Sequence, residues 1–397
     1  VRLLNAGVSA GTVSAAGALV GAAGKDNTLR DVHAVNSKVV CPAGAAGGIA
    51  GSVLGGGSLT DCRVYWETEQ DNLRDLLGSD QKDNPYRYGK IIHGSAAGGL
   101  VGRLAGGAGS TAVTKSLAAS LVSGSAVGGL IGDGEHPAAV TASYADCYLK
   151  GTSRAAGLTG RAAGGTSFKN AYAAGFIDFQ DMAEGAQAGG LFTGSGSVEG
   201  KNAYTAVSYL NWHLRDQRAL SVTAGIPGGG EDCYILNPSF YIKDDGGNLP
   251  QGSRSFEDMS GGEFLGELGS AFEFKSYRAS SAAQNTYPYN LQEKQNLTKY
   301  SFPGLKGLPH YGDWRAYFKE PSLVYYEQYL DRYGRESFGF SGGNARELIG
   351  RVENDKVVKT DGYAVALMQK DLTEDRLLVT YTYLGQDGTR TELGPVT

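Results

Sequence analysis

Short apolar phrases bracketed by glycine recur along the first half of the chain: Gly17-Ala-Leu-Val-Gly21, Gly47-Gly-Ile-Ala-Gly51, Gly98-Gly-Leu-Val-Gly102, Gly128-Gly-Leu-Ile-Gly132, Ala156-Gly-Leu-Thr-Gly160 and Gly189-Gly-Leu-Phe-Thr-Gly194. The closing glycines fall at 21, 51, 102, 132, 160 and 194, in steps of 30, 51, 30, 28 and 34. A fixed period near thirty marks a repeat array, and the single long step marks an insertion. Residues 66–88 are the insertion, because Glu67, Glu69, Asp71, Arg74, Asp75, Asp80, Lys82 and Asp83 interrupt the Gly/Ala/Ser texture there. About ten residues after four of the closing glycines comes a polar phrase with a small residue at its second position: Asp31-Val-His33, Asp61-Cys-Arg-Val-Tyr65, Asn170-Ala-Tyr172 and Asn202-Ala-Tyr204. Asp146-Cys-Tyr148 comes fourteen after its glycine, which predicts a longer turn in that coil.

Two or more glycines in five residues disfavour a helix, whose interior loses roughly 1 kcal/mol for each glycine relative to alanine. The pattern therefore predicts an all-β protein, a parallel β-helix or β-solenoid, with coils stacked about 4.8 Å apart and equivalent residues in ladders. Leu19, Ile49, Leu100, Leu130, Leu158 and Leu191 form the expected inner apolar ladder, and Cys62, Cys147, Ala171 and Ala203 a second position restricted to small side chains. The structural glycines are Gly17, Gly21, Gly47, Gly51, Gly98, Gly102, Gly128, Gly132, Gly157, Gly160, Gly189 and Gly194. They serve either left-handed corners or close approach of backbones between coils.

The phrase disappears after residue 206, dividing the chain into a solenoid at 1–206, a cap and aromatic-rich junction at 207–320, and a small antiparallel β domain at 321–397. Leu220-Ser-Val-Thr223 and Cys233-Tyr-Ile-Leu236 read as strands, either final coils or part of the cap. Ser260-Gly-Gly-Glu263 is a capping box ahead of Phe264, Leu268 and Phe272, predicting an amphipathic helix laid on the solenoid's open end. In the last region Leu323–Tyr329, Ser337–Phe340, Gly362–Leu367 and Leu377–Tyr383 are β-branched or aromatic runs between turns.

The Gly-Gly-Leu-Val-Gly core, its small-residue surroundings and the period resemble the GLUG repeat, over roughly residues 1–205. Gly98–Gly102 and Gly128–Gly132 carry the resemblance best, whereas Thr159 and the extra Thr193 depart from it. The resemblance implies a β-helix-like scaffold on the outside of a bacterial cell, in adhesin-like proteins or proteins with prepilin-type leaders. It implies no catalysis by the repeats.

With 61 glycines in 397 residues and 19% charged residues, the chain has the composition of a stacked, small-residue protein. The net charge of -5 lacks the clustered Lys and Arg that phosphate contacts need, so nucleic acid is not an expected partner, and membrane-surface binding is disfavoured for the same reason. Direct membrane insertion of this segment is not expected, for want of a long apolar run. No apolar run approaches eighteen residues. The chain begins inside repeat texture, which predicts a portion of a longer polypeptide or surface assembly.

Chemistry-bearing motifs are few. Gly7-Val-Ser-Ala-Gly11 and Gly339-Phe-Ser-Gly-Gly343 match a nucleophile elbow in letters but not in a strand-to-helix setting. Asp31 and Asp61, on neighbouring coils, are the nearest approach to a carboxylate pair. The four cysteines fit buried small-residue positions, with a Cys41–Cys62 disulfide as the alternative, and no metal or cofactor is expected. Aromatic residues in the insertion and junction, Trp66, Tyr88, Tyr287, Tyr289, Tyr311 and Trp314, are the candidate contacts for a sugar or protein ligand. The expectation is a non-enzymatic, extracellular, adhesin-like or pilus-associated protein that binds a host or microbial surface glycan or glycoprotein. A carbohydrate-active β-helix enzyme and a purely structural stalk are the alternatives.

Overall fold

The computed structural model describes residues 1–65, 91–194, 196–210, 214–223, 225, 230–236, 252–254, 256–259, 262–273 and 302–309, with the backbone of strands Arg351–Glu353, Lys356–Val358, Tyr363–Asp371, Arg376–Leu384 and Arg390–Val396. Two compact units divide the chain: Val1–Glu69 with Tyr86–Tyr277 and Thr298–Tyr317, and Gln70–Pro85 with Arg278–Leu297 and Phe318–Thr397.

The first unit is a β-solenoid of about seven turns, held by parallel pairing throughout. A coil passes through an anchor strand, in five coils a short strand of a separate five-stranded sheet, a threonine strand such as Ser58–Thr60 or Thr111–Thr114, a left-handed corner, a tyrosine strand (143–145, 171–173, 203–205 and 233–236 in the later coils) and a return strand such as 38–41. Anchor strands align Ala15–Gly17 with Ala45–Gly47, Ala96–Gly98 and Ala126–Gly128, then with 154–156, Gln187–Gly189 and Ser221–Thr223. The five-stranded sheet stacks Val20–Ala23, Ala50–Leu54, Val101–Ala105, Ile131–Gly134 and Thr159–Arg161. Parallel pairing continues past residue 206 through Ser221–Thr223, Glu231–Leu236 and Ser253–Arg254, so the two later strands are coils.

The apolar ladder is in register. The amides of Leu19, Ile49, Leu100, Leu130, Leu158 and Leu191 each donate to the carbonyl of the next coil's residue, ending on Gly225, at 2.8 to 3.0 Å. All but Leu19, in the first coil, are fully buried. The 51-residue step is also resolved, because Ala45 pairs directly with Ala96 and the extra residues lie between the strands Arg63–Tyr65 and Ile91–Gly98.

The glycines serve mainly close approach. A Cβ on Gly47, Gly98, Gly128 or Gly189 would sit 1.9 to 2.0 Å from a carbonyl oxygen three residues on. On Gly99 and Gly129 it would meet both the next coil's carbonyl oxygen, at 2.0 Å, and the Cβ of Ala118 or Ala145 across the interior, at 2.4 Å. The coil is thus closed down to backbone against alanine, and Gly194 is the one phrase glycine in the left-handed region, at φ 115°. The corners between threonine and tyrosine strands are left-handed without glycine: Asp31, Asp61, Lys115, Ala142, Asn170, Asn202 and Asp232 all lie at φ 48 to 53°. Asp and Asn tolerate this conformation through local side-chain hydrogen bonding.

These corners correct the placement of Cys147. The position after the corner holds Cys62, Ser116, Ser143, Ala171, Ala203 and Cys233, as the registers on either side of it require. Cys147 pairs instead with Gly175, four residues further round the coil. Its coil has no longer turn, since Ala142 takes the corner ten residues after Gly132. Ala142 has no polar side chain to announce the corner, which is why Asp146 looked like its equivalent.

The helix is Gly262–Leu268, with Phe264 and Leu268 buried. Phe272 is not on it: Gly269, at φ 81°, ends the helix, and Phe272 lies in the strand Phe272–Glu273, which pairs with Gly304–Leu305. The helix packs on the solenoid's flank, over the tyrosine strands, instead of on its open end.

In the second unit Tyr363–Asp371, Arg376–Leu384 and Arg390–Val396 form a three-stranded antiparallel sheet, and Arg351–Glu353 pairs with Lys356–Val358. The runs expected at 323–329 and 337–340 lie outside the described residues.

Candidate binding face

Alternation along the threonine strands sends Leu59, Val113, Val140 and Phe168 into the interior, at most 1% exposed. Their neighbours point outward in two parallel rows, spaced about 4.8 Å along a row and about 6.7 Å between rows. One row is Thr28, Ser58, Ala112, Ala139, Ser167 and Glu199, and the other is Arg30, Thr60, Thr114, Thr141, Lys169, Lys201 and Glu231. All of these are exposed or half-exposed. The left-handed corners end every threonine strand at the same point, keeping the rows in register.

The middle of the face is neutral. Thr60, Thr114 and Thr141 carry hydroxyls with no side-chain hydrogen bond among the described residues. At the first coil Ser58 Oγ donates to Thr28 Oγ1 at 3.1 Å. At the far end Lys201 Nζ lies 2.7 Å from Glu231 Oε1. Along the bordering corner, Asn202 Nδ2 donates to Asn170 Oδ1 at 3.2 Å.

Several of the acids and bases elsewhere are held by near neighbours. Asp31 lies 3.3 Å from His33 and Asp61 4.0 Å from Arg63, so each faces a partner two residues along its own chain. Asp133 is gripped by Arg161 through Nε at 2.5 Å and Nη2 at 2.9 Å. Buried Asp178 accepts from the Tyr148 hydroxyl at 2.7 Å and the Gln180 amide at 2.9 Å. His93 Nδ1 and Ser123 Oγ are 2.8 Å apart on adjacent rungs. No carboxylate among the described residues orients the other ring nitrogen, which a serine–histidine nucleophile requires. Ser9 of the first Gly-x-Ser-x-Gly match ends a strand and is followed by a bend, without the helix of a nucleophile elbow; the second match lies outside the described residues.

All four cysteines are buried and free, so the Cys41–Cys62 disulfide is absent. Cys41 sits on a return strand and Cys62 after a corner, at different points round the coil. Burial pushes the Cys62 thiol up to about 11 and that of Cys147 up to about 12. Among the described residues no group of three His, Cys, Asp or Glu side chains is placed to hold a metal ion.

The aromatic candidates Trp66, Tyr88, Tyr287, Tyr289, Tyr311 and Trp314 all lie outside the described residues. Sequence reading missed the threonine rows, although their signal precedes each corner: Thr28-Leu-Arg30, Ser58-Leu-Thr60, Ala112-Val-Thr114, Ala139-Val-Thr141 and Ser167-Phe-Lys169. Comparison with known protein families, with curated proteins and with solved structures finds no match.

Proposed function

We propose that this chain is a non-enzymatic, adhesin-like scaffold that works outside the cell, where its threonine face makes repeated weak contacts with a surface glycan or glycoprotein. The observation that carries this reading is the pair of in-register rows, in which a threonine is copied at three successive coils, Thr60, Thr114 and Thr141. Contacts of this kind gain strength by number, because each one made raises the effective concentration for the next. The resemblance of the glycine phrases to the GLUG repeat supports the extracellular, bacterial setting. The threonine face joins the aromatic residues of the insertion and junction as a candidate contact.

Stepwise substitution tests the reading. Retention of the full chain on immobilised glycoprotein is expected to fall progressively from Thr60→Ala to Thr60→Ala/Thr114→Ala to the triple variant that adds Thr141→Ala. Unchanged retention in a folded triple variant would remove the face from the binding account.

A further inference from the structure

The tyrosine strands carry a second built surface. Tyr144, Tyr172 and Tyr204 stack in near-parallel, with ring centroids 4.7 and 5.0 Å apart and interplanar angles of 2°. Tyr234 pairs with Tyr204 on the next rung and meets Phe264 edge-on. Over this column lies the segment Phe302-Pro-Gly-Leu-Lys-Gly-Leu-Pro309, here called the strap. Its Phe302, Leu305 and Leu308 are at most 4% exposed. A turn at Lys306-Gly307, with Gly307 at φ 75°, shortens the strap. Its ends then fall on hydroxyls two rungs apart: Tyr204 donates to the Pro303 carbonyl and Tyr144 to the Pro309 carbonyl, each at 2.5 Å.

Aromatic rings packed on an apolar, proline-bearing segment, with hydroxyls donating to its carbonyls, are the features of peptide recognition in an aromatic groove. The coils' own ladders do not use the strap. Tyrosine strands pair with each other, whereas the strap's backbone pairs with Phe272–Glu273 and, through Lys306 N–H, with the Ala271 carbonyl at 2.9 Å. We propose that the tyrosine column is a peptide-binding groove, filled in the resting chain by its own strap, and that it accepts the strap of a second copy when its own is withdrawn. Each copy carries both halves, so exchange restores every contact that withdrawal breaks. In the sequence, residues 274–301 separate the strap from its pairing strand.

The test uses the full chain carrying Phe302→Ser, Leu305→Ser and Leu308→Ser, with a fluorescent synthetic peptide of residues 300–310 as probe. The peptide should bind this variant at least about tenfold more tightly than the unmodified chain, whose groove is occupied. Adding Tyr144→Phe and Tyr204→Phe should weaken that binding several-fold, and mixing the strap variant with unmodified chain should give a one-to-one complex by light scattering. Peptide binding to neither chain, or equally to both, overturns the groove; no mixed complex overturns exchange between copies. Hydrogen exchange on the unmodified chain stands independently of whether the variant folds. Strap amides should exchange well before those of Leu130 and Leu158, and exchange in step with those amides would overturn a separable strap.

Discussion

At the scale of single residues, the interior leaves no room at the glycine ladder. Gly99→Ala would force a Cβ to 2.0 Å from one backbone oxygen and 2.4 Å from Ala118. The expected loss is about 3 kcal/mol or more in chemical denaturation, whereas Gly106→Ala, with nothing within 4 Å, should stay within about 0.5 kcal/mol. The buried cysteines have a chemical signature. With thiol pKa values of about 11 and 12, Cys62 and Cys147 hold a thiolate fraction of about 0.001 or less at pH 8. A thiol reagent should leave both unlabelled in the native protein and label them after denaturation. Burial, and then the Arg63 guanidinium, hold the His33 imidazole below the usual histidine range, with Asp31 pulling the other way. The unfolded chain therefore binds this proton more readily, so the stability present above about pH 6.5 is lost as the pH falls through the folded value. The melting temperature should drop between pH 7.5 and 5, with a smaller drop in His33→Gln.

At the scale of elements, the sequence made some strands plain and left others unmarked. Period and glycine pairs were enough to align the anchor strands, because the backbone contact they permit is local to the phrase and repeats with it. The corners at Lys115 and Ala142 were not legible, since neither residue type favours a left-handed backbone. Stacking imposes the conformation there, by holding the strands on both sides in register. The cap on the tyrosine column was equally hidden, because Tyr144 and Pro309 are 165 residues apart and no spacing rule connects them. Its energetics can be separated from those of the coils. Phe264→Ala removes a ring packed edge-on against both Tyr204 and Tyr234. The expected cost is about 3–5 kcal/mol, felt first as faster hydrogen exchange in Gly262–Leu268 while the anchor strands stay protected.

For the whole molecule, repetition links fold to proposed function. Stacking brings Thr60, Thr114 and Thr141 into one row at a fixed interval, between Arg30 on one side and Lys169 and Lys201 on the other. The solenoid was legible because its rule is written six times in the sequence. The proposed binding face was not, because three alternating residues before a corner carry little signal until stacking aligns them. The central claim is that the chain binds without transforming its ligand. A glycan and glycoprotein array, assayed for bound chain and for released sugar in the same wells, tests it most directly. The account predicts binding without product, reduced in the Thr60→Ala/Thr114→Ala/Thr141→Ala variant. Released sugar would contradict it in favour of an enzyme, and silence in every well would leave a structural stalk.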